Sequence, residues 1–125
     1  MALVDQGRII CALADLQDGG CRGFRIGSGD WLLRGFVVRM GGEVRAYVNR
    51  CPHASHPLDL VPDRFLTPDG SLIVCSSHGA LFEKHTGRCI AGPCAGQSLR
   101  PVPVQVEAGY VVIAPGVDVE ALADD

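Results

Sequence analysis

Cys51 and His53 stand two positions apart in Cys-Pro-His, and Cys75 and His78 stand three apart in Cys-Ser-Ser-His. Each stretch offers one thiolate and one imidazole, the donor types that hold zinc or an iron–sulfur cluster. In a zinc finger the cysteines form one C-x₂₋₄-C pair and the histidines a separate H-x₃₋₅-H pair. Here the pairs are mixed, so two similar loops each bring one sulfur and one nitrogen. That arrangement suits a dinuclear [2Fe–2S] centre with sulfur on one iron and nitrogen on the other. A structural zinc module is the weaker alternative, and visible absorption distinguishes the two.

The neighbouring residues carry a family resemblance. The run Cys51-Pro-His-Ala-Ser-His-Pro-Leu58, then Cys75-Ser-Ser-His-Gly-Ala-Leu-Phe82, then Thr86-Gly87 and Gly92-Pro93, resembles the Rieske iron–sulfur domain. The order C-x-H, spacer, C-x-x-H-G, aromatic, T-G turn and Gly-Pro loop is complete. The resemblance implies one [2Fe–2S] cluster, with Cys51 and Cys75 on one iron and His53 and His78 on the other through Nδ1. It also implies surroundings made by Gly79, Ala80, Phe82 and Pro93.

Those surroundings bear on the redox potential. High-potential relatives place Ser and Tyr hydroxyls two and four residues after the second histidine, where this chain has Ala80 and Phe82. They also brace their loops with a disulfide, whose positions here are His56 and Ser77. Two ferric ions, two sulfides and two thiolates cancel in charge, so histidine ligation by itself raises the potential above that of a four-thiolate cluster. Without the extra donors, the expected potential lies at the low end of the Rieske range, about −150 mV.

Of the other cysteines, Cys11 and Cys21 read as small buried hydrophobes, and Cys94 follows the Pro loop. His85, within Lys84-His85-Thr86-Gly87, reads as a solvated turn residue.

These loops need a scaffold of strands. Sixteen Gly and eight Pro in 125 residues, with 47% hydrophobic and 6% aromatic residues, imply one domain of short strands and tight turns. Segments 35–40 and 43–49 flank Gly41-Gly42, a hairpin signature, and Val44, Ala46 and Val48 alternate with polar neighbours. Val102, Val104 and Val106 alternate in the same way, and Ala108-Gly109 turns the chain into 110–114. Shorter strands are expected at 8–13, 22–26, 72–75 and 81–83, and Pro101 and Pro103 assign their strand to a sheet edge. Helix is confined to single turns near 14–17 and 117–123. The spacer between His53 and Cys75 is long, with 61–69 expected to form a hairpin arm beside the cluster.

The predicted fold is therefore all-β, a Rieske-type antiparallel sandwich or barrel with a small cluster-binding subdomain of two loops. The domain spans 1–115, with cluster loops at about 50–94, followed by an acidic tail at 116–125.

Net charge is −3, and the tail alone carries four acids and no base, so the body is nearly neutral. No basic stripe exists to bind nucleic acid. Asp5 replaces the basic start of a secretory signal, and no run approaches the roughly 20 apolar residues that span a bilayer. A cytoplasmic, monomeric protein without a membrane partner is expected.

Only His56 and His85 remain as spare imidazoles, so no mononuclear iron site for oxygenase chemistry is expected in this chain. The resemblance implies an electron-transfer component with no substrate-oxidising site of its own. Such a ferredoxin receives electrons from a flavin or NAD(P)H-linked reductase and passes them to a terminal oxygenase. The alternative is a Rieske small subunit of a nitrite-reductase type complex.

Overall fold

The computed structural model describes residues 8–27, 32–52, 57–59, 61, 63–76 and 79–123. In chain order the strands are β1 (Ile9–Ala12), β2 (Cys21–Ile26), β3 (Leu33–Met40), β4 (Glu43–Val48), β5 (Ile73–Val74), β6 (Leu81–Phe82), β7 (Cys89–Ala91), β8 (Val104–Glu107) and β9 (Tyr110–Ile113). A 3₁₀ turn covers Leu13–Asp15, and a short helix, α1, covers Val119–Ala123.

Among the described residues the strands form three antiparallel sheets of three, ordered β1-β9-β8, β2-β3-β4 and β5-β6-β7. The all-β antiparallel expectation is met. The Gly41-Gly42 hairpin pairs Met40 with Glu43 and Gly35 with Val48. Strand β7 is not recognisable in the sequence because it is short and lacks an apolar alternation, with Ile90 about half exposed.

Strand β3 organises the molecule because both of its faces are buried. Leu33 and Val37 enter one core with Phe24 and Ile26 of β2, Val44, Ala46 and Val48 of β4, and Val111 and Ile113 of β9. Phe36 and Val38, on the opposite face, enter a second core with Tyr47, Leu58, Phe65, Ile73, Phe82, Cys89 and Leu99. A strand buried on both sides reads as a continuous apolar run, here Phe36-Val-Val38. The first core holds the two larger sheets together. The second seats the small β5-β6-β7 sheet, which is inserted between β4 and β8.

Residues 100–103 join the large sheets. The Val48 N–H donates to the Arg100 carbonyl at 2.9 Å, and the Val102 N–H donates to the Ala46 carbonyl at 2.8 Å. Pro101 and Pro103 alternate with Val102, so the residues lacking an N–H fall where β4 asks for no donor. Strand β8 lies at a sheet edge, but it begins at Val104, so both prolines precede the strand expected to contain them.

The small sheet is fastened through Tyr47, whose hydroxyl donates to the Lys84 carbonyl at 2.6 Å. Burial pushes that phenol up to about 12, so it remains a neutral donor at ordinary pH. Beneath it lies Gly87, at φ 74°, where an added Cβ would come within 2.7 Å of the Tyr47 ring. The Thr-Gly turn therefore needs glycine both for its left-handed backbone and for this close approach.

Within the spacer, residues 65–67 pair with 72–74. The Thr67 N–H donates to Leu72 and the Val74 N–H to Phe65, each at 2.9 Å. The tip is closed by Asp69, whose carboxylate accepts from the Thr67 hydroxyl at 2.6 Å and from Ser71; these bonds hold its pKa at about 2. The arm lies against the second sheet: Phe65 stacks on Phe36 at 4.4 Å, and Asp63 accepts the Gly23 N–H at 2.8 Å.

The acidic segment from 116 also packs. Leu122 of α1 is buried in the first core, with Val117 and Val119 against it.

Candidate metal centre

Cys51 and Cys75, both within the second core, stand at the roots of two loops. The first loop leaves the end of β4, and the second is the β5–β6 connection. Both side chains are buried, at 1% and 0% exposure, and no disulfide joins any of the six cysteines. Two shielded sulfurs suit a cluster whose sulfides must be kept from water. His53, His56, Ser77 and His78 lie outside the described residues, so the nitrogen half of the expected ligand set rests on the sequence. Among the described residues no three His, Cys, Asp or Glu side chains converge on one metal position.

Backbone hydrogen bonds shape each loop and join the two. The Cys75 N–H donates to the Ala80 carbonyl and the Gly79 N–H to the Cys75 carbonyl, both at 2.9 Å, which closes the second loop on itself. Gly79, next in the chain after His78, has φ 72°, in the left-handed region that favours glycine. Across the gap, the Ser76 N–H donates to the Leu58 carbonyl at 2.9 Å. This bond ties the two loops together through the backbone.

Asn49 closes the first loop. Its Oδ1 accepts the Leu58 N–H at 2.8 Å and its Nδ2 donates to Asp59 Oδ1 at 2.9 Å. The remaining Asp59 oxygen accepts the Asp63 N–H at 3.1 Å, so the loop base is continuous with the spacer arm. Sequence reasoning does not single out Asn49. The available signal is an Asn placed two residues before the Cys of the Cys-Pro-His motif, since such side chains often close local loops.

The other expected neighbours are placed as follows. Ala80 and Phe82 are buried, at 1% and 0% exposure, and neither presents a hydroxyl. Pro93 is exposed at the start of the 93–96 turn. The preceding Gly92, at φ 99°, lies so close to the second loop that a Cβ would come within 2.8 Å of Ala80 Cα. The Gly-Pro segment is thus packed directly on the second cluster loop. His85 is exposed in its turn, as expected. Cys11 is buried, but Cys21 is only partly so, and its thiol donates to the Asp63 carbonyl at 3.4 Å. Lys84 reaches away to the Gly70 carbonyl at 2.8 Å.

Residues 7–112 match the sequence profile of the Rieske [2Fe-2S] domain. The chain belongs to this family. As a Rieske protein it carries one [2Fe–2S] cluster, and the shielded pair Cys51 and Cys75 fits the sulfur half of that requirement.

Its relatives include ferredoxin CarAc of Metapseudomonas resinovorans, 31% identical over 106 residues, covering 84% of this chain and 90% of that protein. Among solved structures, this Rieske protein resembles the ferredoxin of carbazole 1,9a-dioxygenase from Nocardioides aromaticivorans. The TM-score is 0.67 at 28% identity, over 86% of this chain and 95% of that one. It also resembles a chain in the complex of reduced oxygenase and oxidized ferredoxin in carbazole 1,9a-dioxygenase. There the TM-score is 0.66 at 31% identity, over 85% and 90% of the two chains.

Proposed function

We propose that this chain is a one-electron carrier that receives electrons from a flavin or NAD(P)H-linked reductase and delivers them to a terminal oxygenase in the cytoplasm. Its cluster is held by Cys51, His53, Cys75 and His78. The observation that carries the reading is the near full-length match to ferredoxin chains of carbazole 1,9a-dioxygenase, 95% of one and 90% of another. A relative matched end to end is similar as a carrier, whereas a match to one domain of a larger enzyme would speak only for the fold.

The cluster, when bound, supplies reversible one-electron exchange. The chain's own residues shield and orient it. Cys51 and Cys75 keep their sulfurs in the second core, and Ser76–Leu58 and Asn49 hold the loops at a fixed separation. Among the described residues no helix is long and apolar enough to cross a membrane. The test is anaerobic mixing of the reduced protein with a Rieske-type aromatic-ring oxygenase, following cluster reoxidation by EPR. Reoxidation within a catalytic turnover supports the reading. A fully loaded protein that no reductase reduces and no oxygenase reoxidises defeats it.

The potential follows from the same wall. A hydroxyl donating to a cluster sulfur stabilises the added negative charge of the reduced form and raises the potential. Ala80 and Phe82 have none to donate, so the midpoint is expected at about −150 mV, the low end of the Rieske range. Redox titration checks this, and a midpoint well above zero would show that donors come from elsewhere.

A further inference from the structure

Two cysteines outside the ligand set meet beside the cluster wall. The Cys94 thiol donates to Cys89 Sγ at 3.0 Å, and the Cys89 thiol in turn donates to the Ala91 carbonyl at 3.2 Å. Both are buried, at 2% exposure each, in the same core as Cys51 and Cys75. Neither belongs to the metal motif.

We propose that Cys89 and Cys94 form a redox-active dithiol that low-molecular-weight disulfides oxidise to an intrachain disulfide, stapling the Gly-Pro turn to β7. Three observations support it. First, a disulfide bond of about 2.05 Å is only about 1 Å shorter than the present contact, so small side-chain movements close it. Second, the intervening turn can supply that movement. Its backbone bonds are long, from the Ala95 N–H to the Gly92 carbonyl at 3.2 Å and from the Gly96 N–H to the Cys89 carbonyl at 3.3 Å, and Pro93, Ala95 and Gly96 are exposed. Third, this exposure gives a small disulfide a route to Cys94 when the turn opens, although the closed turn covers the sulfur.

The chemistry balances as two exchanges. Burial keeps Cys94 as the neutral thiol while the turn is closed; once the turn opens to water its thiolate forms and attacks one sulfur of a small disulfide such as glutathione disulfide, giving a mixed disulfide and releasing one small thiol. Cys89 then attacks the Cys94 sulfur and expels the second small thiol. Two electrons pass to the small disulfide, and the two protons leave on the released thiols. No electron is drawn from the cluster, and the proposal stands whether or not the chain serves an oxygenase.

Peptide mapping tests it. The holoprotein is incubated anaerobically with excess glutathione disulfide, quenched in acid, freed of sulfide, and alkylated. Trypsin cleaves after Arg88, and no Lys or Arg follows except Arg100, which precedes Pro101, so the peptide 89–125 contains Cys89 and Cys94 and no other cysteine. The expected result is at least about a tenfold loss of doubly alkylated 89–125. A peptide two hydrogens lighter and free of alkyl groups replaces it. Dithiothreitol reverses the change, and the visible spectrum of the cluster persists. Persistent double alkylation, or accumulation of a glutathione adduct on Cys94, would overturn the proposal and leave the pair as packed thiols. The cluster spectrum is read separately, so a failure of the electron-carrier reading is distinguishable from a failure of this one.

Discussion

Replacing Cys75 by alanine is expected to abolish cluster assembly, with iron and acid-labile sulfide falling to background and the visible absorption lost. The substitution removes one of the two proposed thiolates, and water cannot replace it at a fully buried position. The loss belongs to the metal rather than to the loop, because the 2.9 Å bonds joining Cys75 to Ala80 and Gly79 are made by the backbone. Cys11→Ala provides the control: it deletes a buried thiol from the other core and should retain iron and sulfide at full occupancy. A Cys75→Ala protein with an unchanged brown chromophore would remove this residue from the ligand set. Loss in both variants would indicate that burial of sulfur, and not ligation, is what the assay reads.

The second large effect is expected at Phe36, where Phe36→Ala should cost about 3–5 kcal/mol. Its ring is fully buried, stacked on Phe65 at 4.4 Å and tilted against Tyr47 at 5.8 Å. Aromatic pairs add about 0.5–1.5 kcal/mol beyond area alone. A total stability of about 5–15 kcal/mol makes this a large fraction. The apparent melting temperature of the holoprotein should fall by at least about 10 °C. Phe65 anchors the spacer arm and Tyr47 the Thr-Gly turn, so the cluster should bleach with the fold rather than after it. Val106→Ala, at a position 42% exposed, should stay within about 0.5 kcal/mol of the parent. A fall of less than about 2 °C at Phe36 would mean that the second core does not seat the small sheet.

Several features are legible in the amino-acid sequence. The mixed Cys-His pairs carry their meaning locally, because a metal centre depends on donor type and short-range spacing. The hairpin through Gly41-Gly42 is equally plain, since a tight turn and a two-residue alternation are both local signals. Pro101 and Pro103 lack an N–H, a property of the residues themselves, and the strand at the sheet edge, β8, begins only after them at Val104.

Other features need the chain to be folded. Strand β7 has no periodicity of its own and exists because β6 offers a partner. The spacer arm is expected as a hairpin from its residues, but its attachment to β2 through Asp63 joins positions 23 and 63, far apart in the chain. Likewise, the Ser76–Leu58 bond between the cluster loops and the Cys94–Cys89 contact are made by groups with no distinguishing sequence pattern. Residue types and neighbouring spacings thus determined which chemistry this protein performs and that strands would carry it. Tertiary structure alone decided how the loops are braced and which thiols meet, because those contacts arise only when distant segments are packed around a common core.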